Sequence, residues 1–418
     1  MTIKTLKLKN FKSYKDVEVH LGWFNVLIGA NASGKSNLIR ALEFLRDIRR
    51  HGLDDAIQRQ GGAEYLTNLN LGIDQPLSMQ AVFSAELDKR MPIIAWSRIG
   101  KADLALLPVE VTYGFSIAFS KKGAEFEIAD DRLTLKSEFR TFERDGGQPQ
   151  SGKPLGLGEV VFSSDGERGS VKVTPPEGVS LADYEIFRGL FSGSVPRRSL
   201  ILPHVWFLIG LTFEDIALYD FDPRLPKKAT PITGRADLEE DGSNLAIVLK
   251  NIIENPGRQR KLRNFMQDLV PFVADLGVER FADKSLLFSL METYAKKGYL
   301  PASLVSDGTI NITALIAALY FEKKSVAIIE EPERNIHPSL ISKTVAMMKD
   351  ASMGKQIIVI THNPEVVKHA DIGDVLLVSR NREGFSTISR PAEQDDVKVF
   401  LKNEMGLEEL FVQNLLHA

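Results

Sequence analysis

Glycines, a lysine and a serine follow one another at fixed spacing in the stretch FNVLIGANASGKSN, residues 24–37. Gly29 and Gly34 bound a loop and permit backbone angles that turn consecutive amide groups inward around a β-phosphate. Lys35 can neutralise the β- and γ-phosphate oxygens, and the hydroxyl of Ser36 is placed to ligate Mg2+. We therefore predict that this loop binds ATP and Mg2+. The predicted nucleotide-binding residues are Gly29, Ala30, Asn31, Ala32, Ser33, Gly34, Lys35, Ser36 and Asn37.

The loop needs a strand before it and a helix after it to hold these groups in place. Residues 24–28 are mostly apolar, as a buried strand requires. The segment from Lys35 to about Arg50 carries Leu38, Leu42 and Leu45 at helical spacing. The positive end of that helix would point at the same anion. Because the motif seldom stands by chance between two such elements, we favour nucleotide binding over an ordinary glycine turn.

Two carboxylates end another apolar run, SVAIIEEP at 325–332. A parallel strand of this kind delivers its last residues to the carboxyl edge of the sheet, where a phosphate-binding loop also lies. We predict that Glu330 orients Mg2+ through water and that Glu331 activates the attacking water as general base. The alternative, two solvated acids at a strand end, fits better in a chain that lacks the phosphate-binding loop.

A third apolar run, QIIVI at 356–360, leads to Thr361 and His362. A histidine at the same sheet edge can hydrogen-bond the γ-phosphate and report its loss, so we predict this role for His362. The seven histidines show no HExxH or Cys/His spacing and the chain has no nucleophile elbow, which excludes a catalytic zinc site and a Ser/His/Asp hydrolase. The candidates for a glutamine that senses the γ-phosphate are Gln58, Gln60 and Gln80.

The composition is that of a globular chain. With 418 residues, 44% hydrophobic and 26% charged, the chain is long enough for two or three cores. No apolar run approaches the roughly 20 residues that span a bilayer, and the N-terminus alternates like a strand, so we expect a cytoplasmic protein with no membrane partner. The absence of cysteine excludes disulfides and thiolate chemistry. A net charge of −3 excludes a generally basic nucleic-acid coat and leaves a local DNA groove open.

The periodicity of the remaining chain predicts mixed α/β structure. Residues 3–9 and 16–20 alternate apolar and polar side chains and predict a hairpin before the first apolar strand. Short alternating runs between about 77 and 175, separated by glycine turns, predict an antiparallel sheet. From about 180 to 275 the spacing becomes helical, residues 276–299 return to strand-like spacing, and the last third alternates strands and helices.

Several short motifs stand in an order that resembles one class of ATPases. The motifs are SDGT at 306–309, IEEPE at 329–333, IHP at 336–338 and THNP at 361–364, with NFKSY at 10–14 and DGSNLA at 241–246. Together they resemble the ABC-type ATPases of the SMC/RecF class, and most closely the branch of predicted AAA-type ATPases related to the OLD (overcoming lysogenisation defect) proteins. The resemblance runs from one end of the chain to the other.

The resemblance implies an α/β fold, an ABC/SMC-head-like P-loop NTPase with an antiparallel β subdomain and a helical insertion. It also implies hydrolysis of ATP to ADP and phosphate in a homodimer or higher homo-oligomer, where two copies meet head to tail across two ATP molecules. Residues 333–338 would form the loop at the dimer axis, and Lys12 and Ser13 would lie near the adenine or α-phosphate. The residues that one copy would present to the γ-phosphate bound by the other are Ser306, Asp307 and Gly308.

Three regions follow from the motifs and the resemblance. Residues 1–180 form the N-terminal ATPase lobe, 181–298 a mainly helical insertion and 299–418 the C-terminal ATPase lobe. The chain has neither the long coiled coils nor the zinc hook of many SMC relatives, and residues 371–418 are too few for the TOPRIM domain of OLD nucleases. We therefore expect no nuclease activity. The acids interpreted as solvated charges are Asp395, Asp396 and Glu404.

Three functions remain open at the level of sequence. The first is a nucleotide-driven dimer switch in phage defence or DNA maintenance, coupled to an effector protein from a neighbouring gene. The second is a RecF-type repair ATPase that binds double-stranded DNA, and the third is an ATP-bound scaffold for a nuclease or toxin with little turnover. The basic run RQRKLR at 258–263 is a solvated helix face by preference and a phosphate-contacting patch as the alternative.

Overall fold

A computed structural model describes residues 2–84, 93–97, 103–120, 125–145, 148–164, 169–181, 184–185, 199–201, 216–233, 235–281, 284–295, 298–397, 406–413 and 415–417. The chain forms two compact units. The first comprises Met1–Leu21, Ser33–Glu214 and Ser379–Ile388, and the second comprises Gly22–Ala32, Asp215–Val378 and Ser389–Ala418.

The elements alternate between long antiparallel strands early in the chain and strand–helix pairs later. The strands are β1 Thr2–Phe11, β2 Tyr14–His20, β3 Phe24–Ile28, β4 Leu77–Ser84, β5 Ile93–Ser97, β6 Asp103–Phe119, β7 Phe126–Asp145, β8 Gln148–Ser164, β9 Gly169–Thr174, β10 Tyr184–Glu185, β11 Ile216–Tyr219, β12 Thr230–Pro231, β13 Val273–Phe281, β14 Ser285–Glu292, β15 Leu300–Pro301, β16 Val326–Glu330, β17 Gln356–Ile360, β18 Val375–Arg380 and β19 Ser386–Ser389. The helices are α1 Lys35–His51, α2 Leu53–Arg59, α3 Ala63–Leu66, α4 Leu245–Ile253, α5 Pro256–Leu269, α6 Asp307–Tyr320, α7 Pro338–Ala351, α8 Pro364–Lys368 and α9 Leu407–Val412, with 3-10 turns at Ala302–Leu304, Ile372–Asp374, Pro391–Glu393 and Leu415–His417.

The first unit is built on one antiparallel sheet. Its strand order is β2-β1-β4-β6-β7-β8-β9, and β5 pairs with both β6 and β10. β4 alternates buried and half-buried side chains along its length, the pattern of a sheet with one packed face. The predicted hairpin and the predicted antiparallel sheet are confirmed, since β1 pairs with β2 and β4 with β6 in antiparallel register.

The second unit contains a parallel sheet in the order β11-β16-β17-β3-β18. The pairs β11–β16, β16–β17, β17–β3 and β3–β18 are all parallel. Every residue of β3 and β17 is buried. Both strands are covered on their two faces, and such strands carry mostly apolar side chains. These strands are the apolar runs identified in the sequence, and their carboxyl ends lie at one edge of the sheet.

Helix α6 is the most deeply buried helix among the described residues of this unit. Each of its residues from Thr309 to Leu319 is buried, as expected for a helix that is apolar all round. A smaller antiparallel sheet, β12-β14-β13 with β15 beside β14, packs against α4 and α5. These helices and sheets share one core, which positions the motifs of the last third of the chain.

The interval 181–298, predicted to be mainly helical, contains α4 and α5 but also β10 to β14 among its described residues. Residues 182–183, 186–198 and 202–215 lie outside the described part of the chain. Strand β11 pairs with β16 at the edge of the parallel sheet, which the helical spacing between 180 and 275 did not predict. The division into three regions at 180 and 298 remains a proposal.

Candidate nucleotide-binding site

The loop between β3 and α1 has backbone angles that glycine favours. The φ angles are +152° at Gly29, +61° at Ala32 and +117° at Gly34. A Cβ atom on Gly34 would lie 2.3 Å from Oγ of Ser386 and 2.8 Å from Oγ of Ser13. Because both the angle and the space exclude a side chain, Gly34 is required for the loop to follow this path.

The N-terminus of α1 has no side-chain cap. Gly34 is the N-cap, no side chain caps the helix, and no acidic residue lies in the first turn. The first amides of a helix have no partner within it and carry its positive partial charge. The hydroxyl of Ser33 beside them is 3% exposed and has no hydrogen-bond partner among the described residues. These features fit the phosphates of a bound nucleotide.

A Mg2+ ion would be held by few protein ligands here. Within the described residues, no cluster of three or more His, Cys, Asp or Glu side chains could hold a metal ion. Mg2+ usually keeps several waters and binds through one or two protein groups together with substrate phosphates. Ser36 and Glu330 are the two ligands proposed from the sequence, and their role at a metal remains a proposal; a Mg2+ ion would supply charge neutralisation at the phosphates.

Two residues missed by sequence reasoning hold the back of the phosphate-binding loop. The Ser386 hydroxyl lies 2.5 Å from the carbonyl oxygen of Ser33 and 2.7 Å from Oγ of Ser13. The Tyr14 hydroxyl donates to the carbonyl of Gly34 at 2.9 Å, and burial raises the pKa of Tyr14, which keeps it a donor. Nδ2 of Asn37 donates to Oγ of Ser13 at 2.7 Å. These hydrogen bonds fix the back of the loop.

Tyr14→Phe removes the hydroxyl that holds Gly34 and should weaken ATP binding by about fivefold, the effect of one net hydrogen bond. The matched control is Tyr65→Phe, because the Tyr65 side chain is 64% exposed. Fluorescent-nucleotide titration measures both affinities. Equal affinities of the two variants would show that the loop keeps its shape without the Tyr14 hydroxyl.

Lys12 and Ser13 lie at the turn between β1 and β2. Nζ of Lys12 donates to the carbonyl of Tyr65 at 3.2 Å, and its backbone amide donates to Leu66 at 2.9 Å. Burial, followed by the charge of Arg40, lowers the pKa of Lys12. Ser13 contacts the phosphate-binding loop as described, whereas contact of either residue with adenine or the α-phosphate remains a proposal.

The parallel register brings three predicted groups to one sheet edge. Glu330 at the end of β16 pairs with Ile360 of β17, and Ile360 pairs with Leu27 of β3. Glu331, His362 and Gly29 therefore follow neighbouring strand ends. The amide of Glu331 donates to the carbonyl of Ile360 at 2.8 Å, which fixes where its side chain begins.

The carboxylate of Glu331 has a partner on each oxygen. Its Oε1 lies 2.8 Å from Nδ1 of His362. Its Oε2 accepts hydrogen bonds from Nε and Nη2 of Arg334 at 3.2 and 3.1 Å. Glu331 has a φ of +44°, an uncommon angle for a residue with a side chain. The sequence predicted Glu331 and His362 as separate participants, and the structure places them in direct contact.

A third carboxylate, Glu333, lies buried behind the same edge. It is 8% exposed and accepts a hydrogen bond from the Thr361 hydroxyl at 2.5 Å. The amide of Asn363 donates to Oγ1 of Thr361 at 2.9 Å. Burial raises the pKa of Glu333, and the hydrogen bond from Thr361 opposes this effect. Glu333 therefore joins the ends of two loops, a role that its place in the sequence motif did not reveal.

The predicted signature residues have contacts within their own chain. Ser306 caps α6 by accepting a hydrogen bond from the amide of Thr309 at 3.2 Å, and Asp307 pairs with Lys227 at 2.6 Å. A Cβ atom on Gly308 would lie 2.4 Å from the carbonyl oxygen of Asn335. The start of α6 thus packs closely on the loop 333–338. Contact of these residues with a nucleotide on a second copy remains a proposal.

The other sequence candidates are dispersed. Gln58 lies on α2, Gln60 is its C-cap residue and Gln80 lies on β4 opposite Gly114, so the choice of a γ-phosphate-sensing glutamine stays open. Asp395 and Asp396 are exposed. Glu404 lies outside the described residues.

The basic run on α5 is largely engaged with its own chain. Arg258 lies over the ring of Phe321, 5.5 Å from its centroid, and Lys261 lies over the ring of Tyr320 at 5.3 Å. Arg263 pairs with an aspartate of β13 at 3.1 Å, whereas Arg260 is exposed. These contacts favour the structural interpretation of the run.

Two known protein families match this chain, each over a different range of residues. The family described as "AAA domain, putative AbiEii toxin, Type IV TA system" matches residues 108–368, more than half of the chain. The family described as "AAA ATPase domain" matches residues 1–85.

Sequence relatives match over short segments. The DNA replication and repair protein RecF of Pediococcus pentosaceus is 48% identical over 52 residues, 12% of this chain and 14% of RecF. RecF of Chlamydia abortus is 48% identical over 61 residues, 14% of this chain and 17% of RecF. The chain therefore matches less than a fifth of the length of these two relatives.

Similar solved structures cover nearly the whole chain. A crystal structure of the SmcHead bound to the C-winged helix domain of ScpA has a TM-score of 0.52 at 16% identity, covering 93% of this chain and 97% of that one. The Smc head domain with an extended coiled coil bound to the C-terminal domain of ScpA derived from Pyrococcus furiosus has a TM-score of 0.51 at 16% identity, covering 96% and 99%. At this identity the similarity shows the fold, and the predicted SMC-head-like α/β fold is confirmed. Every helix in the described part of the chain is too short or too polar to cross a bilayer.

Proposed function

The chain belongs to the AAA-domain family that matches residues 108–368, and from this premise we propose that it binds and hydrolyses ATP as a nucleotide-driven dimer switch. ATP would close two copies head to tail, and hydrolysis would let them open. The resemblance to SMC/RecF-class ATPases supports the shared site. The related OLD branch remains a prediction.

One observation carries the proposal. The strand ends of β3, β17 and β16 lie side by side and present Gly29, His362 and Glu331 in that order, with Glu331 and His362 in contact at 2.8 Å. A glycine loop, a carboxylate and a histidine that follow neighbouring strand ends support phosphoryl transfer to water, which needs a positioned base and charge stabilisation at the phosphate.

In the proposed reaction, Glu331 accepts a proton from the attacking water. The water oxygen bonds to the γ-phosphorus, the bond from the γ-phosphorus to the bridging oxygen breaks, and ADP leaves. Lys35 and the amides at the start of α1 stabilise the charge on the phosphate oxygens. With Nδ1 facing Glu331, His362 would donate from Nε2 to the γ-phosphate when its ring carries both protons. Ser306 and Gly308 of the second copy would complete the site.

A RecF-type DNA-binding repair ATPase is the second candidate. The local identity to RecF proteins supports it, and Arg260 on α5 is exposed for a phosphate contact. The family description "putative AbiEii toxin, Type IV TA system" supports instead a defence role with an effector protein. An ATP-bound scaffold for a nuclease or toxin would need the same binding loop without turnover.

Steady-state ATP turnover by the purified full chain, with and without duplex DNA, separates these functions. If the chain is a dimer switch, its ATP turnover should depend on Mg2+ and should not need DNA. The turnover rate should also rise more than in proportion to the protein concentration. The RecF-type candidate predicts slow turnover that duplex DNA stimulates. Lys35→Ala is the background control. Turnover no faster than that control under both conditions would rule out the switch and favour the scaffold.

A further inference from the structure

The guanidinium of Arg334 joins two carboxylates in the second unit. Its Nε and Nη2 donate to Oε2 of Glu331 at 3.2 and 3.1 Å. Its Nη1 lies 2.8 Å from Oδ1 of Asp220 and 3.3 Å from the carbonyl oxygen of Phe221. All three guanidinium nitrogens are therefore engaged, and Arg334 can leave Glu331 only by giving up a planar set of charge-assisted contacts.

These contacts fix the orientation of the Glu331 carboxylate. Two donors from Arg334 converge on Oε2, while Oε1 lies 2.8 Å from Nδ1 of His362. A carboxylate held at both oxygens from different sides loses rotation about its last bond. A general base must meet the attacking water in one particular geometry. A fixed carboxylate plane keeps Glu331 in a single orientation toward that water and so favours the reactive geometry.

Arg334 also lies on the loop that contacts the signature helix. It stands between Glu331 and Asn335, which have φ angles of +44° and +61°. Its carbonyl oxygen accepts a hydrogen bond at 2.6 Å from Nδ2 of Asn311, a residue of α6 that is 4% exposed. The carbonyl of Asn335 lies against Gly308. A shift of α6 would therefore move the backbone that carries the Arg334 guanidinium.

We propose that Arg334 is a positioning residue that orients Glu331 and links this orientation to the signature helix α6. The proposal rests on the proposed function, because it assumes that Glu331 is the base for ATP hydrolysis. Asp220 holds the far side of the guanidinium, so that Arg334 approaches Glu331 in one orientation. Docking of a second copy on α6 would change the orientation of Glu331 through this loop.

Arg334→Ala should lower kcat about 10-fold and leave KM and ATP affinity within about twofold, because Arg334 contacts the base and not the nucleotide. Arg334→Lys should recover part of kcat, since an ammonium can pair with Glu331 but cannot also engage Asp220 through a planar fork. The matched control is Arg235→Ala, which removes another arginine of the second unit, 76% exposed and 4.0 Å from Glu239.

The double variant Glu331→Gln/Arg334→Ala separates positioning from a general loss of structure. If Arg334 acts through Glu331, single-turnover hydrolysis by the double variant should equal that of Glu331→Gln alone. A further loss in the double variant, an unchanged kcat or a faster kcat in Arg334→Ala would each overturn the proposal. If Arg334→Ala does not fold, Asp220→Asn takes its place, with an expected loss in kcat of about threefold at constant KM. Normal turnover by Glu331→Gln would instead contradict the proposed function itself.

Discussion

Glu331→Gln should bind ATP as tightly as wild type and hydrolyse it at least about 100-fold more slowly. The amide keeps the size of the side chain and can still meet Arg334 and His362, but it cannot accept the proton of the attacking water. Lys35→Ala should instead abolish ATP binding, because it removes the charge and the donor on the β- and γ-phosphates. Calorimetry measures binding, and phosphate release measures turnover.

The two variants separate ATP binding from hydrolysis only if the loss of turnover is specific to Glu331. Neutralising a carboxylate elsewhere should then have no such effect. Glu365→Gln is a suitable control, since Glu365 lies in the first turn of α8 and has no proposed role in catalysis. It should retain both affinity and turnover. Normal steady-state turnover by Glu331→Gln would remove Glu331 from the role of base, and tight ATP binding by Lys35→Ala would place the phosphates elsewhere.

Ser306→Arg should leave ATP binding by each monomer intact and abolish turnover. The substitution places a long cation at the start of α6, where the second copy's nucleotide is proposed to dock. It also removes the N-cap of that helix, at a cost of about 1 kcal/mol. Gly308 is a poorer choice for this test, because any side chain there would meet the carbonyl of Asn335 and disturb the chain's own loop.

Ser306→Asn separates the two effects of that change. Asparagine also caps helices and adds no charge, so this variant should keep the stability of wild type and lose less turnover than Ser306→Arg. Thermal unfolding and ATP turnover of the two variants are measured side by side. Full turnover by Ser306→Arg in dilute solution would show that the site is complete within one chain.

The sheet edge could be predicted from sequence because its determinants are local. The buried strands β3, β16 and β17 are uninterrupted runs of mostly apolar residues, and each is followed within two residues by the group predicted for the site. The glycines at 29 and 34 are local signals of the same kind. By contrast β11 is a four-residue strand, IALY, whose parallel partner lies more than a hundred residues away, and nothing in its own spacing distinguishes it from a helix.

The contacts around the site could not be predicted in the same way. Ser386 meets Ser13 and Ser33 only because β19 returns to the first unit, and no motif marks that serine. In the sequence, Arg334 is one charged residue in a polar loop. In the structure, its guanidinium bridges the carboxylates of Glu331 and Asp220. Spacing shows which residues follow a strand, whereas the partner of a long charged side chain depends on tertiary packing.

Mixing two inactive variants tests the shared site most directly. In a head-to-tail dimer of one Lys35→Ala copy and one Ser306→Arg copy, one site carries both changes and the other carries neither. With random pairing, half of the dimers are mixed and each has one intact site, so turnover should return to about a quarter of the wild-type value. Either variant alone should stay inactive. A mixture that contains mixed dimers, shown by mass after affinity tagging, and still hydrolyses no ATP would contradict an active site built from two copies.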